Sequence, residues 1–263
     1  MMDGIELRGA REPVATPDLA ADLRAALAAG GSGLRIDLQP ICAAASLAPV
    51  GYEALLRWEH PVLGAIPPLE TFAIAEANGG VVALDAWALV NAVRMRAAWP
   101  RGGPYLSVNV SAAGLLAGHA APMLRAAFSA TGVDPRGVLV ELPEAAVARD
   151  IAAAKALAAE LRSLGAAVGL DDFGGTHGAA RILRDIPFAA VKLDAALTKG
   201  LDGDSPAAAR ARALVAAIVD MVHAMGATVT AEAVECAAQM RALRDAGCDA
   251  LQGWLLGRPG PLG

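Results

Sequence analysis

The sequence predicts an α/β fold, a (β/α)8 TIM-like barrel with an irregular first strand, on three observations. Short apolar runs alternate with alanine-rich amphipathic stretches along the chain. Eight such runs can be counted, the number that closes a barrel of this type. Polar or charged residues interrupt most of these runs or stand at their C-terminal ends, and a barrel gathers those ends at one mouth. An open doubly wound sheet is the competing architecture, but no GxGxxG follows a strand to favour it.

Residues 1–15 read as a flexible lead-in and residues 16–263 as one barrel domain, since no linker-like break divides the chain. Thr16-Pro17 reads as the first helix start, a hydroxyl cap before a proline whose missing N–H costs nothing there. Leu19, Leu23 and Leu27 follow at one-turn spacing, and Gly30-Gly31 stops the helix. The apolar runs 34–41 and 50–56 come next, joined by a turn near Leu47-Ala48 and not by a helix. The first strand is therefore expected to lie antiparallel to the second. Further strands are expected over 105–110, 138–142, 167–170, 189–193, 228–231 and 250–251. Helices are expected over 68–78, 83–99, 151–164, 206–225 and 237–246, with Ser205-Pro206 and Gly226 bracketing the fourth.

Composition narrows the function classes. The chain has 263 residues, 56% of them hydrophobic, and can bury a sizeable core without staples. Its net charge of −5 offers no basic surface to a nucleic-acid polymer. Cys42, Cys236 and Cys248 form neither a disulfide framework nor a CxxC zinc pair, so a reducing cytoplasm is the expected compartment. The first residues lack the apolar core of a signal peptide, and no uncharged apolar run reaches bilayer length.

The polar residues carry the functional signal. Glu53 lies in the second strand, Asn109 ends the third, and Glu141 lies in the fourth. Asp171 and Asp172 follow the fifth, Lys192 lies in the sixth, Glu232 ends the seventh and Gln252 the eighth. Singly, each has an ordinary explanation: a helix cap, a solvated carboxylate, a lysine snorkelling from its strand. Together, five carboxylates at one barrel mouth repel one another unless some take up protons or cations neutralise them. Oxygen ligands favour Mg²⁺ or Mn²⁺ over zinc, and two such ions about 4 Å apart suit in-line displacement at phosphorus.

Seven segments then match a family in order: Gln39-Pro40-Ile41, Glu53-Ala54-Leu55-Leu56-Arg57-Trp58, Val108-Asn109-Val110-Ser111, Asp171-Asp172-Phe173-Gly174, Val191-Lys192-Leu193-Asp194, Ala231-Glu232-Ala233-Val234-Glu235 and 252–259. The chain resembles the EAL-domain cyclic di-GMP phosphodiesterases from roughly Pro17 to Pro259. The resemblance implies that Glu53, Asn109, Glu141 and Asp171 hold a first Mg²⁺ or Mn²⁺. It implies that Asp171 and Asp172 share a second ion, with Glu232 nearby, and that the ions lower the pKa of a bound water. Lys192 is implied to orient that water, and Asp172 and Glu232 are both open as its base. Arg57 is implied to fork onto phosphate, with Gln39 and Gln252 bonding the nucleotide. Glu144, Asp194 and Glu235 are expected to support these groups from behind. The implied product is linear pGpG, and a homodimer and a sensor or GGDEF domain in a longer parent protein are the implied partners.

The chain departs from that family pattern in three places. After the paired aspartates the family continues DDFGTGYSS, whereas this chain runs Asp171-Asp172-Phe173-Gly174-Gly175-Thr176-His177-Gly178. The loop gains glycine and loses hydroxyls, so more conformational freedom is lost when it orders. The alternative function is therefore a cyclic di-GMP receptor that binds without cutting. Pro143 stands where the family has threonine, which puts the aim of Glu144 in question. Ala233 replaces a glycine, a change that is strained only if the backbone there needs positive φ. His60, His119 and His223 are read as structural or surface residues, and Trp58, Trp87, Trp99 and Trp254 as packing residues.

Overall fold

The computed structural model describes residues 17–175 and 179–261. The lead-in at 1–15, the Thr16 cap and His177 lie outside the described residues. The elements run α1 (Leu19–Ala28), β1 (Leu34–Ala43), β2 (Pro49–His60), β3 (Gly64–Ile66), α2 (Pro68–Ala77), α3 (Val81–Arg96) and β4 (Tyr105–Asn109). Then come α4 (Ala112–Ala117), α5 (Ala120–Thr131), β5 (Val138–Pro143), α6 (Glu144–Arg149), α7 (Ile151–Leu164), β6 (Ala167–Phe173) and α8 (Ala179–Asp185). The chain continues through β7 (Ala190–Leu193), α9 (Ala195–Thr198), α10 (Pro206–Ala224), β8 (Thr228–Ala231), α11 (Ala237–Asp245) and β9 (Ala250–Leu251).

Eight strands close a barrel in the order β1-β9-β8-β7-β6-β5-β4-β2, with β1 pairing β2 to complete the ring. From β2 through β9 the barrel strands are parallel. β1 is antiparallel to both of its neighbours, as the missing helix between the first two apolar runs required. The short β3 hairpins onto the end of β2, outside the ring. No helix among the described residues is long and apolar enough to cross a membrane.

The strands alternate by period two. One parity is aliphatic and packs under the helices: Leu106, Val108, Val140, Leu142, Val168, Leu170, Val191, Leu193 and Val229 are all buried in one core. The other parity carries Glu53, Ser107, Asn109, Glu141, Gly169, Asp171, Lys192 and Thr230. The register places Asn109 beside Glu141, Glu141 beside Gly169 and Lys192 beside Thr230.

Two local expectations need correction, and one span holds helices that were not anticipated. The cap of α1 is Asp18, whose Oδ1 accepts from the N–H of Ala20 and Ala21 at 3.1 Å, because a carboxylate two residues on satisfies the same orphan donors. Two helices, α4 and α5, fill the span between β4 and β5. Ser111 caps α4 by accepting from the Gly114 N–H at 3.0 Å, and Gly118 and Gly132 end the two helices in the left-handed region. Lastly, β6 continues through Asp171 and Asp172 to Phe173, where it had been expected to stop at Leu170.

Candidate metal and phosphodiester site

The site begins with one lysine. Lys192 on β7 is 2% exposed, and its Nζ is shared by four carboxylates from four strands. Glu53 Oε2 lies at 3.1 Å, Glu141 Oε2 at 3.2 Å, Asp171 Oδ1 at 3.5 Å and Glu232 Oε1 at 2.5 Å. One ammonium balances one of the four charges. Glu53 is bound further: the Asn109 amide donates to its Oε1 at 2.6 Å and the Gln252 amide to its Oε2 at 2.7 Å.

The electrostatics follow from burial and crowding. Burial raises the pKa of Glu53, but Lys192 and the two amides outweigh it and hold the group below the carboxylate norm. Glu141 goes the other way: burial, then the neighbouring Glu53 and Asp171 charges, drive it well above normal despite Lys192. Burial also dominates at Glu232, pushed up to about 7. It dominates at Asp172 too, pushed up to about 6 with Asp171 and Asp194 adding to the rise. Burial disfavours the Lys192 ammonium, yet its four partners together raise it well above normal.

The paired aspartates reach the same place through a backbone irregularity. In a regular strand adjacent side chains face opposite sides. Here the β6–β7 register shifts between Leu170 and Phe173, and Asp172 sits in the left-handed region with φ 57°, a conformation that Asp tolerates better than most residues. The result brings carboxylate oxygens of Asp171, Asp172 and Glu232 within 4.8 Å of one another.

This donor set fits divalent cations. It is all oxygen, it carries more negative charge than Lys192 offsets, and it contains buried acceptors without hydrogen bonds at Glu141 Oε1, Asp171 Oδ1 and Gln252 Oε1. Such atoms ask for a partner with positive charge.

The remaining predicted site residues fall around this centre. Gln39 pairs with Glu53 across the β1–β2 register; its Oε1 accepts from Gln252 at 3.2 Å and its amide donates to the Gly257 carbonyl at 3.1 Å. Glu144 Oε2 accepts from the Gly174 N–H at 3.1 Å, so it braces the loop after β6 even with Pro143 before it. Asp194 caps α9 through the Ala196 N–H at 2.6 Å and adds negative potential at Asp172. Glu235 is exposed and, with Gln39, Glu53, Glu232 and Trp254, lines a cavity of about 240 Å³ at this mouth.

Arg57 is held by two groups. Its Nε lies 3.2 Å from Asp37 Oδ2 and its Nη1 donates to the Leu56 carbonyl at 2.8 Å. Asp37 was not singled out from sequence; a charged residue inside the apolar run 34–41 was the available signal. Trp254 corrects the packing expectation, being 57% exposed at the mouth with Arg258 stacked 4.4 Å from its ring centre. Ala233 adopts φ 53°, so the strained alternative holds. The histidines do other work: His60 is buried against Asp22 and His223 pairs Asp249.

The comparisons point the same way. The EAL domain family matches residues 20–259. MucR of Pseudomonas aeruginosa, described as a bifunctional diguanylate cyclase/cyclic di-GMP phosphodiesterase, is 34% identical over 231 residues, covering 87% of this chain and 33% of that protein. NbdA of the same organism, described as a cyclic di-GMP phosphodiesterase, is 34% identical over 232 residues, covering 87% of this chain and 29% of that protein. The chain thus spans about a third of the length of these curated relatives. A structure of the MucR phosphodiesterase in complex with c-di-GMP superposes with a TM-score of 0.85 at 32% identity, covering 93% of this chain and 98% of that one. Barrel, ordered motifs and family match converge on one assignment: the chain belongs to the EAL domain family.

Proposed function

We propose that this domain hydrolyses cyclic di-GMP to linear pGpG with Mg²⁺ or Mn²⁺. One observation carries the proposal: carboxylates from four strands meet around Lys192 with less positive charge than they need. Glu53, Asn109, Glu141 and Asp171 are the residues to hold one ion, and Asp171 with Asp172 a second. Bound ions supply charge neutralisation and a water of lowered pKa.

The chain's own groups do the rest. Lys192 holds the four carboxylates in one cluster and orients the attacking water. Asp172 and Glu232 stand at the mouth side of the cluster, and either accepts the proton that water loses as its oxygen bonds to phosphorus. The bond from phosphorus to the 3′ oxygen breaks, and that oxygen takes up a proton, leaving a 5′ phosphate on pGpG. Arg57, steadied by Asp37, neutralises the phosphate that is not cut. Gln39 and Gln252, linked to each other and to Glu53, set the nucleotide against the ligand carboxylates.

A second reading, a receptor that binds cyclic di-GMP without cutting it, is favoured by the loop after Asp172, which lacks the family's Tyr-Ser-Ser hydroxyls. Incubation with cyclic di-GMP and either ion separates the two. The enzyme forms pGpG, and Glu53→Ala abolishes it. Binding without product over hours at neutral pH supports the receptor, and full turnover by Glu53→Ala refutes the ligand assignment.

A further inference from the structure

A second cavity lies at the other end of the barrel. It measures about 610 Å³ and opens where β2 and β4 begin, lined by Arg96, Trp99, Arg101, Tyr105, Asp134 and Arg136 among others. Arg96, at the C-terminal end of α3, is 9% exposed. Among the described residues its side chain has no hydrogen-bond or ion-pair partner, and its Nε is buried with no acceptor. Its guanidinium carbon lies 5.2 Å from the Trp99 ring centre. A cation–π contact does not replace the acceptor that this buried Nε lacks.

The surroundings are arranged for an anion. Gly137 leaves room for the Arg96 fork, since an added Cβ there falls 3.1 Å from Nη2. Asp134 is the one acid of the lining and is already bonded to Arg136, Nη2 to Oδ2, at 2.8 Å. Three arginines against one aspartate leave a positive surplus on a chain of net charge −5. Two rings are fixed beside them. Trp99 meets the edge of Tyr52 at 5.4 Å, and the Tyr105 ring lies over Gly51, where a side chain would collide with it.

We propose that this cavity binds a small phosphorylated anion of nucleotide size. Arg96 is its buried anchor, Arg101 and Arg136 flank it at the rim, and Trp99 and Tyr105 face its apolar part. Arginine forks match phosphate oxygens in pairs, and the volume lies within the range of ligand pockets. The site is separate from the carboxylate mouth, at the opposite ends of the same strands.

Calorimetric titration with inorganic pyrophosphate and with adenosine 5′-monophosphate tests it. A chelator is present throughout, so that divalent ions cannot hold phosphate at the carboxylate mouth. Wild type is expected to bind both probes at one site per chain. Arg96→Met is expected to weaken binding by about 10- to 100-fold, the loss of charge-assisted hydrogen bonds. Arg136→Ala, on the exposed rim, weakens it less, and Arg57→Ala leaves it unchanged. No binding of either probe at millimolar concentration, equal binding by Arg96→Met, or loss only in Arg57→Ala overturns the proposal.

Discussion

At the residue scale, Lys192 decides the behaviour of the site. Removing one partner of a buried charge cluster strands the others, at a cost of about 3–5 kcal/mol. Lys192→Met is therefore expected to lose about that much stability in chelator, measured by urea unfolding, and to recover part of it when Mn²⁺ is added. Ala233 makes a smaller prediction. Its φ of 53° disfavours a Cβ, and glycine there relieves more strain than it adds in chain entropy. Ala233→Gly is expected to stabilise the fold by about 1 kcal/mol, read from the same unfolding curves. Most of the site residues were legible because each breaks an apolar strand: Glu53, Glu141 and Lys192 have no other reason to stand among valines and leucines. Asp37 and the exposure of Trp254 were not legible, since both depend on how β1 and the chain after β9 meet at the mouth.

At the scale of elements, what matters is how strand ends are bent and fastened. The irregularity at Asp172 turns adjacent carboxylates toward one place, and nothing in the letters Asp171-Asp172 announces it. Gly253 allows the corresponding closure after β9. A Cβ there collides with the Val234 backbone, which accepts from the Leu255 N–H and donates to the Gln252 carbonyl, each at 3.0 Å. Gly253→Ala is expected to cost about 1–3 kcal/mol by overpacking and to lower turnover by pulling Gln252 off Glu53. Asp85 fastens α3 to the end of β4, accepting from the Ser111 hydroxyl at 2.6 Å and its N–H at 3.1 Å. Burial, opposed in part by these bonds, pushes Asp85 up to about 6. A raised acid favours the fold at low pH, where it is neutral, and that advantage fades as pH climbs from 3.8 through about 6. The stability of wild type relative to Asp85→Asn is thus expected to fall by about 2 kcal/mol between pH 4 and pH 7, at about 1.36 kcal/mol per pKa unit. A flat difference in paired melts across that range contradicts the assignment. The α4–α5 pair escaped sequence reading because its caps, Ser111, Gly118 and Gly132, sit within alanine-rich sequence of weak periodicity.

At the scale of the molecule, the barrel was legible from alternation alone, and even the antiparallel β1 followed from one missing helix. Ring closure through β1–β2 is what lets residues about two hundred positions apart, such as Glu53 and Gln252, lie at hydrogen-bonding distance. A homodimer, expected from the resemblance, is checked by light scattering with cyclic di-GMP and divalent ion present; a monomeric mass counts against it. The central claim is that these gathered acids form a cation site. Titrating the protein with Mn²⁺ in the presence of cyclic di-GMP, and following free Mn²⁺ by electron paramagnetic resonance, tests it most directly. The account predicts saturable binding of about two ions per chain, lost in Asp171→Ala. Free Mn²⁺ that rises in step with the total added, in wild type as in the variant, contradicts it.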